Sequence, residues 1–199
     1  MKVDGKTKIL AAARRVISQQ GSNGATLRAI AEEAGMSTGA IYHYYKNKDD
    51  VLYDVLDESL SASTRIAKEL GHHEVEKERV IQEIFNSTEE RLKKETENRL
   101  QYHFAHEIIL GNKELQEKFH EKYKEWNQRI EQILTTIYGL QGTPLNSALT
   151  SWLLGAVDGV VLQYLLEVND NDVEDMMKVF DLLLEKGLPQ FIEILNERE

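Results

Sequence analysis

The sequence has no cysteine and, in 199 residues, only 2 prolines and 12 glycines. The absence of cysteine excludes disulfide frameworks, thiolate-ligated zinc and thiol nucleophiles, and it fits the reducing cytoplasm. The shortage of proline and glycine favours long helices over turn-rich sheets. No apolar run approaches the ~20 residues of a membrane span, and no apolar stretch follows the N-terminal lysines as in a signal peptide. We therefore expect a cytoplasmic protein that makes no contact with a membrane.

Short catalytic motifs are also missing. The sequence contains no GxxxxGK(S/T) phosphate loop, no GxSxG nucleophile elbow and no HExxH metal-binding helix. His103, His106 and Glu107 are spaced to share one helix face and could bind a metal. Zinc would need further ligands, such as His72 and His73, and exposed or hydrogen-bonded histidines are commoner than metal ligands. We expect no enzymatic activity, no metal and no cofactor.

Charge is distributed unevenly along the chain. The formal net charge is −10, yet residues 1–50 carry 8 Lys and Arg against 5 Asp and Glu, a net charge of +3. The remaining residues carry 16 and 29, a net charge of −13. A mildly basic N-terminal part is compatible with nucleic-acid binding through that part alone. The acidic remainder is otherwise typical of a soluble surface.

Apolar spacing predicts an all-α chain. The buried face of the first helix is predicted from residues three and four apart, namely Ile9, Ala12, Ala13, Val16 and Ile17. Thr26 is the predicted N-cap of a second helix, which Gly35 ends. A third helix over about 37–45 follows closely, and a fourth begins near Asn47. Further helices are predicted over about 74–94, 97–110, 113–138, 145–168 and 172–186, before a short last helix with Pro189 in its first turn.

Residues 26–45 have the order helix, short glycine turn, helix. This is the plan of the helix-turn-helix, whose second helix enters the major groove of DNA. Ile41 and Tyr45 lie four residues apart and are predicted to point into the core. The predicted outer face of the third helix consists of Thr38, Gly39, Tyr42 and His43. Glycine inside a helix costs ~1 kcal/mol relative to alanine, so an outward glycine makes sense where DNA approaches the backbone closely.

The same region resembles the DNA-binding domain of the TetR family of bacterial repressors. The resemblance covers residues from about 8 to 56. It is carried by Thr26-Leu27-Arg28-Ala29-Ile30-Ala31-Glu32-Glu33-Ala34-Gly35, by Thr38-Gly39-Ala40-Ile41-Tyr42-His43-Tyr44-Tyr45-Lys46-Asn47-Lys48, and by Lys48-Asp49-Asp50-Val51-Leu52. The family often has Tyr-x-His-Phe in the recognition helix. Here Tyr44 stands at the usual histidine position and Tyr45 at the phenylalanine.

The resemblance implies a domain organisation and a function. It implies a three- to four-helix DNA-binding domain in residues 1–50 and a helical ligand-binding and dimerisation domain in residues 51–199. The implied function is that of a transcriptional regulator that binds a palindromic operator as a homodimer. Repression, and release of DNA by a small hydrophobic effector, are likewise implied by the resemblance.

The resemblance also implies roles for matching residues in DNA binding. Thr26 would hold a phosphate through its hydroxyl and the free helix amides. Arg28 would reach a phosphate or a base edge, and Lys48 would hold another phosphate. The hydroxyls of Tyr42 and Tyr44 would contact phosphates. The groove-facing residues would be Ser37, Thr38, Gly39 and His43. The alternatives are that the tyrosines belong to the core, and that Arg28 and Lys46 are solvated charges.

A dimer interface is needed because one helix-turn-helix covers only a half-site. Small residues four apart in the predicted 145–168 helix allow close helix packing, and the resemblance implies a four-helix interface formed by the last two long helices. The candidates are Trp152, Gly155, Ala156, Gly159, Phe180 and Leu184. The alternative is that Gly155 and Gly159 pack inside one subunit.

The resemblance places a ligand pocket among the middle helices. An apolar, aromatic-rich cavity with a few polar groups suits a small hydrophobic effector. The candidate lining residues are Tyr102, His106, Phe119, Tyr123, Trp126 and Trp152. The alternative is that these aromatic residues are core.

Two other functions stay open. One is an enzyme whose catalytic residues are scattered along the chain. The other is a helical protein-interaction module that does not bind DNA. The intact segment 39–48 argues against the module, because a solvated helix has no need of an outward Gly39 and Tyr42.

Overall fold

The structure is a computed structural model that describes residues 4–70, 76–142 and 144–197. Within these ranges the chain forms helices and turns and no strand, which confirms the all-α class. In chain order the elements are α1 (Gly5–Gly24), α2 (Leu27–Ala34), α3 (Thr38–Tyr42), α4 (Lys48–Ser59), α5 (Ala62–Leu70), α6 (Lys77–Lys93), α7 (Glu95–Ile109), α8 (Lys113–Tyr138), α9 (Asn146–Leu165), α10 (Val173–Leu182), a π-helical turn (Leu183–Gly187) and α11 (Leu188–Asn196).

The chain forms two compact units. The first, called the head below, comprises Met1–Leu60 and Glu95–Gly111. The second, called the body, comprises Ser61–Lys94 and Asn112–Glu199. α7 therefore belongs to the head although it follows α6 of the body. The predicted domain boundary after residue 50 falls inside α4, and that functional division stays a prediction.

α1 organises the head, because it packs against α2, α4 and α7. Every apolar residue predicted for its buried face is 5% exposed or less. Two of these residues, Ala12 and Ala13, are fully buried alanines, so the backbones of neighbouring helices can come close. α1 leaves the helical conformation at Gly21, where φ is +71°.

The body contains two apolar clusters that are joined by α8. Ile133 and Ile137 of α8 pack with residues of α5 and α6, including Ile66 and Val80. Leu134 of α8 packs with Leu140 and with Ile192 and Leu195 of α11. Tyr138 is partly buried against both clusters. The end of α8 therefore supports two sides of the body.

Some predicted helix bounds differ from the observed ones. α3 ends at Tyr42 rather than near residue 45. The backbone leaves the α-helical pattern there, because the Tyr44 amide donates to the Ile41 carbonyl, three residues earlier instead of four, over 2.8 Å. α5 was not predicted as a separate helix. Pro189 lies in the first turn of α11, as predicted. The predicted loop at His72 and His73 lies outside the described residues.

α9 corrects the expectation that nothing in the chain has the length and composition of a membrane span. Among the described residues, this is the one helix long and apolar enough to cross a membrane, and 11% of its most apolar window is buried within the chain. Its single charged residue, Asp158, accepts a hydrogen bond of 2.7 Å from the Tyr123 hydroxyl. A carboxylate at the centre of a membrane helix costs about 2.5–3.5 kcal/mol. One such helix is weak evidence for a membrane protein.

The Tyr138 hydroxyl provides a test of the body's packing. It donates a hydrogen bond of 2.8 Å to the Leu184 carbonyl in the π-helical turn. Burial first, and then the nearby Glu185 carboxylate, raise the pKa of Tyr138 to about 12. Tyr138→Phe removes only this hydroxyl, so we expect a loss of about 1 kcal/mol in the free energy of unfolding.

The effect of Tyr138→Phe should depend on pH. The phenol of the unfolded chain ionises near pH 10, whereas the folded chain holds the proton up to about pH 12. The advantage of the wild type over Tyr138→Phe is therefore complete below about pH 10 and is lost as the pH rises towards 12. Urea unfolding of both proteins near neutral pH and near pH 11 measures it. An equal difference at both pH values would contradict the assigned burial of this hydroxyl.

Candidate nucleic-acid interface

Gly35 forms the turn between α2 and α3. Its φ is +63°, in the left-handed region that glycine adopts most easily. The Gly35 amide donates to the carbonyls of Ala31 and Glu32, and the Met36 amide donates to the Ala31 carbonyl over 2.9 Å. This pattern is a Schellman motif, which satisfies the last carbonyls of α2 and stops the helix. The chain re-enters a helix at Thr38, so α2 and α3 lie against each other as a helix-turn-helix.

The orientation of α3 is fixed by one buried residue. Ile41 is fully buried, and Ser37 caps the helix because its Oγ accepts the Ala40 amide over 3.2 Å. The residues predicted to face outward are exposed or, for Thr38, partly buried: Thr38, Gly39, Tyr42 and His43. The predicted orientation is therefore confirmed. Contact of these residues with DNA stays a prediction.

Gly39 leaves open space on the outer face of α3. A Cβ built on this glycine would have only the Ser37 Oγ nearby among the described atoms, at 3.9 Å. The fold of the free protein therefore gives no reason for a glycine at this position. Close approach of another molecule to the backbone would give one.

The start of α2 presents two of the predicted phosphate-binding residues. The Thr26 Oγ1 accepts the Ala29 amide over 3.1 Å, so Thr26 is the N-cap and its hydroxyl proton remains available to a phosphate. The Arg28 side chain is 83% exposed and pairs with Glu32 over 3.1 Å. Exposed pairs of this kind contribute little. Arg28 can therefore turn towards DNA at low cost.

The start of α4 presents the third predicted phosphate site. The Asn47 Oδ1 accepts the Asp50 amide over 2.9 Å and caps the helix. Lys48 is the first residue of α4 and is partly buried. The carboxylates of Asp49 and Asp50 lie in the first turn, where they suit the helix dipole. Lys48 is therefore positioned by a well-capped helix end.

Tyr44 does not project freely from the recognition segment. It is 47% exposed, but its hydroxyl end lies against Gly5, the first residue of α1. A Cβ on Gly5 would overlap the Tyr44 hydroxyl and would lie 2.7 Å from the Tyr44 Cζ. The phosphate contact predicted for Tyr44 would therefore lie beside the first turn of α1.

Tyr45 belongs to the core, as predicted, but it has a polar partner that the sequence did not indicate. Its side chain is 5% exposed, and its hydroxyl donates to the Asp54 carboxylate over 3.0 Å. The Lys6 ammonium pairs with the same carboxylate over 2.8 Å. Burial first, and then the bond to Asp54, raise the pKa of Tyr45. The hydrogen bond to Asp54 and its negative charge raise the pKa of Lys6.

The predicted ligand-binding aromatics fall into separate groups. In the body, the Phe119 and Tyr123 ring centroids are 6.4 Å apart and those of Tyr123 and Trp126 are 5.0 Å apart. These three residues are one and two turns apart on α8. Tyr102 and His106 belong to the head; Tyr102 is partly buried and His106 is exposed. Trp152 is 79% exposed, so its side chain is not enclosed within its own subunit.

A partly buried polar group beside these aromatics was missed from the sequence. The Asp158 carboxylate accepts from Tyr123 over 2.7 Å and lies 3.7 Å from the Arg91 guanidinium. The Arg91 side chain is 12% exposed. An isolated Asp in an otherwise apolar helix was the available signal. Its partners lie on α6 and α8, at sequence separations that helical spacing does not address.

The predicted dimer residues lie mainly on an exposed apolar face. Trp152, Gly155 and Ala156 are exposed and Gly159 and Phe180 are partly buried. A Cβ on Gly155 or Gly159 would meet no described atom within 4 Å, which contradicts the alternative that they pack inside one subunit. Leu184 is different, because it is 3% exposed and packs inward. Other exposed apolar residues between positions 162 and 194 include Leu162, Leu166, Val179, Leu182, Leu183, Phe191 and Ile194.

The histidines and glutamate weighed as metal ligands, His103, His106 and Glu107, do not form a metal-binding cluster. No group of three or more His, Asp or Glu side chains that could hold a metal ion occurs in the described part of the chain. His72 and His73 fall outside that part.

Comparison with known sequences assigns the helix-turn-helix. The sequence pattern of "Bacterial regulatory proteins, tetR family" matches residues 9–55, which span most of α1 and all of α2 and α3. Residues 9–55 are therefore similar to the tetR family, and we call them the tetR-family domain. The repressor AcnR of Corynebacterium jeikeium is 36% identical over 66 residues, 33% of this chain. The match spans only 35% of AcnR's length, so this likeness is confined to the part that contains the tetR-family domain.

Longer comparisons extend the likeness beyond the tetR-family domain. The fatty acid metabolism regulator protein of Bacillus subtilis is 25% identical over 190 residues, which cover 91% of this chain and 94% of that protein. The structure of the fatty acid degradation regulator FadR from Bacillus halodurans superposes with a TM-score of 0.67 at 23% identity. It covers 91% of this chain and 98% of that one. The likeness to these two proteins therefore extends beyond the tetR-family domain over most of the helical chain.

A substitution of Gly39 in the tetR-family domain can test DNA binding without lowering the stability of the fold. Gly39→Ala adds a methyl group in open space and favours the helix by ~1 kcal/mol. We expect the variant to fold with equal or higher stability and to bind DNA at least tenfold more weakly, because the methyl group holds the backbone away from the groove. Thermal unfolding and a DNA titration measure the two effects.

A control for Gly39→Ala is Gly142→Ala. This glycine also has open space around its Cβ, but it lies in the body and outside the predicted dimer residues. The same added methyl group should therefore leave DNA affinity unchanged there. Equal DNA affinity of Gly39→Ala and the wild type would mean that DNA does not approach this face of α3.

Proposed function

We propose that this chain is a transcriptional repressor that binds a palindromic operator as a homodimer and releases it when a small hydrophobic effector binds. The observation that carries the proposal is the exposed outer face of α3, with its open Gly39, on a segment whose buried side is fixed by Ile41. The match of residues 9–55 to the tetR family supports the same conclusion. The proposed place of action is the cytoplasm, where bacterial DNA is accessible.

In this proposal the two kinds of contact with DNA come from different elements. The start of α2 and the start of α4 bind phosphates through capped helix ends, with Thr26 and Lys48 as the main groups. Arg28 adds a phosphate or base contact. The side chains that read bases in the major groove are those of Ser37, Thr38 and His43. Tyr42, which is 59% exposed, offers its hydroxyl to the flanking phosphate.

The apolar face of α9 to α11 is the proposed interface with a second copy of the chain. One helix-turn-helix covers only half of a palindromic operator, so a second copy is needed. Two copies that pair through the same face form a closed two-fold dimer. Monomeric proteins rarely expose apolar patches larger than a few hundred Å², and this face includes Trp152, Leu182 and Phe191, each at least half exposed. Gly155 and Ala156 allow the partner helix to come close. The inward-facing Leu184 supports this surface from behind.

Trp152→Glu tests this interface. Trp152 is 79% exposed, so a charged side chain costs the isolated subunit little, but two buried carboxylates would oppose association of the dimer. We expect a monomer in sedimentation and a loss of affinity for a palindromic duplex of about tenfold or more, since two linked heads bind more tightly than one. The matched control is Ile109→Glu, at a residue 82% exposed in the head. A dimeric Trp152→Glu protein would place the interface elsewhere.

The proposed effector site lies in the body beside Tyr123. The Tyr123 ring stacks with Phe119, meets the Trp126 ring edge to face, and its hydroxyl donates to Asp158, so apolar surface and a polar anchor lie side by side. The Bacillus subtilis relative that matches over 91% of this chain is named for fatty acid metabolism. Fatty acids are therefore the first effector class to test. An effector releases DNA only if it binds the DNA-free shape more tightly than the DNA-bound shape.

Selection from a random duplex library by the purified chain tests the function as a whole. We expect enrichment of a palindrome, with an affinity that falls steeply as salt rises, because phosphate contacts release counterions. Addition of fatty acids of graded length to the complex then tests for release. If no sequence is enriched at low salt, the result favours a helical protein-interaction module that does not bind DNA. An enzyme would need demonstrated turnover.

A further inference from the structure

Asp54 of α4 joins three parts of the head. It accepts the Tyr45 hydroxyl over 3.0 Å, just past the end of α3, and the Lys6 ammonium over 2.8 Å, in the first turn of α1. The same ammonium lies 5.9 Å from the centre of the Tyr45 ring. We call these contacts the Asp54 bridge. The adjacent Gly5 touches Tyr44, so the first turn of α1 meets two successive tyrosines of the recognition segment.

We propose that Asp54 is a positioning residue for DNA binding: through Tyr45 and Lys6 it holds the end of the recognition segment against α1 and α4. The inference rests on the proposed function, because it concerns the affinity for an operator. It goes beyond the family resemblance, in which an apolar phenylalanine stands at the position of Tyr45.

The physical reason lies in the shortness of α3. A helix of five residues contributes no stability of its own, and only Ile41 of this helix is buried. Tyr45 is the next buried side chain, and its hydroxyl is a second fixed point at the far end of the segment. A buried hydroxyl requires a partner, and the Asp54 carboxylate is the observed one. Free rotation of this end would blur the positions of His43 and Tyr44.

Two nearly isosteric variants test the bridge. Tyr45→Phe keeps the ring and removes the bond to Asp54. Asp54→Asn keeps the size and removes the charge that holds Lys6. We expect each to raise the Kd for the operator about three- to tenfold. This is less than the full cost of a hydrogen bond to a charged group, because part of that cost falls on the stability of the fold. Affinity for a random duplex should change less, because phosphate contacts that need no register dominate it.

The control is Glu58→Gln, one turn further along α4. Glu58 pairs with Arg14 of α1 over 3.0 Å, so this variant loosens the contact of α1 with α4 without touching Tyr45. Both Asp54→Asn and Glu58→Gln remove one negative charge from the head. Coulomb attraction alone would strengthen DNA binding in both, whereas the positioning role predicts weaker operator binding in Asp54→Asn alone.

Hydrogen exchange in the DNA-free protein gives a second readout. The Tyr44 and Tyr45 amides donate to the Ile41 carbonyl over 2.8 and 3.0 Å, and these amides should exchange several-fold faster in Tyr45→Phe and Asp54→Asn but not in Glu58→Gln. Unchanged exchange overturns the inference. So does operator affinity equal to the wild type, or equal weakening for operator and random duplex. If the wild type selects no operator, the proposed function fails and exchange alone decides the inference.

Discussion

The recognition surface depends on a helix of only five residues, Thr38–Tyr42, and a helix this short does not form in water by itself. Its shape is therefore imposed from outside. Gly35 stops α2 by a left-handed turn, Ser37 caps the new helix, and Ile41 enters the core. α1 provides the wall against which this happens, because it packs on α2 and α4. The outer face can then carry residues chosen for contact rather than for folding.

Because the core-facing residues fix the helices, the polar groups suited to contact with DNA can lie at the helix starts of the head. The first residues of α2, α3 and α4 are each capped by a side chain, those of Thr26, Ser37 and Asn47. A capped helix start fixes several backbone amides in known directions and carries partial positive charge. Three such ends in one small domain compensate for its modest net charge. DNA binding by a chain of net charge −10 is then a matter of local arrangement.

Much of the head could be predicted from the sequence, because its determinants are local. Spacing of three and four gave the buried face of α1, and the phase of Ile41 placed Gly39 and Tyr42 outside. The Asp54 bridge and the Arg91–Asp158 contact could not be predicted. Each joins residues on different elements, and the spacing of residues within one helix gives no information about such contacts. The inward orientation of Leu184 was missed for a related reason: a π-helical turn shifts the phase of the helix by about one residue there.

The body's helices raise a different question, which is why an apolar helix such as α9 carries one partly buried carboxylate. A buried ion pair seldom adds stability compared with apolar residues of the same volume. Asp158 bonded to Tyr123 beside Arg91 is therefore poorly explained by folding alone. The outer face of α9 is the proposed dimer surface, so its inner face is where a bound molecule would influence the partner. A ligand that exchanged contacts with Asp158 would act on α6, α8 and α9 together. It would shift the population if it bound one arrangement of these helices more tightly than the other.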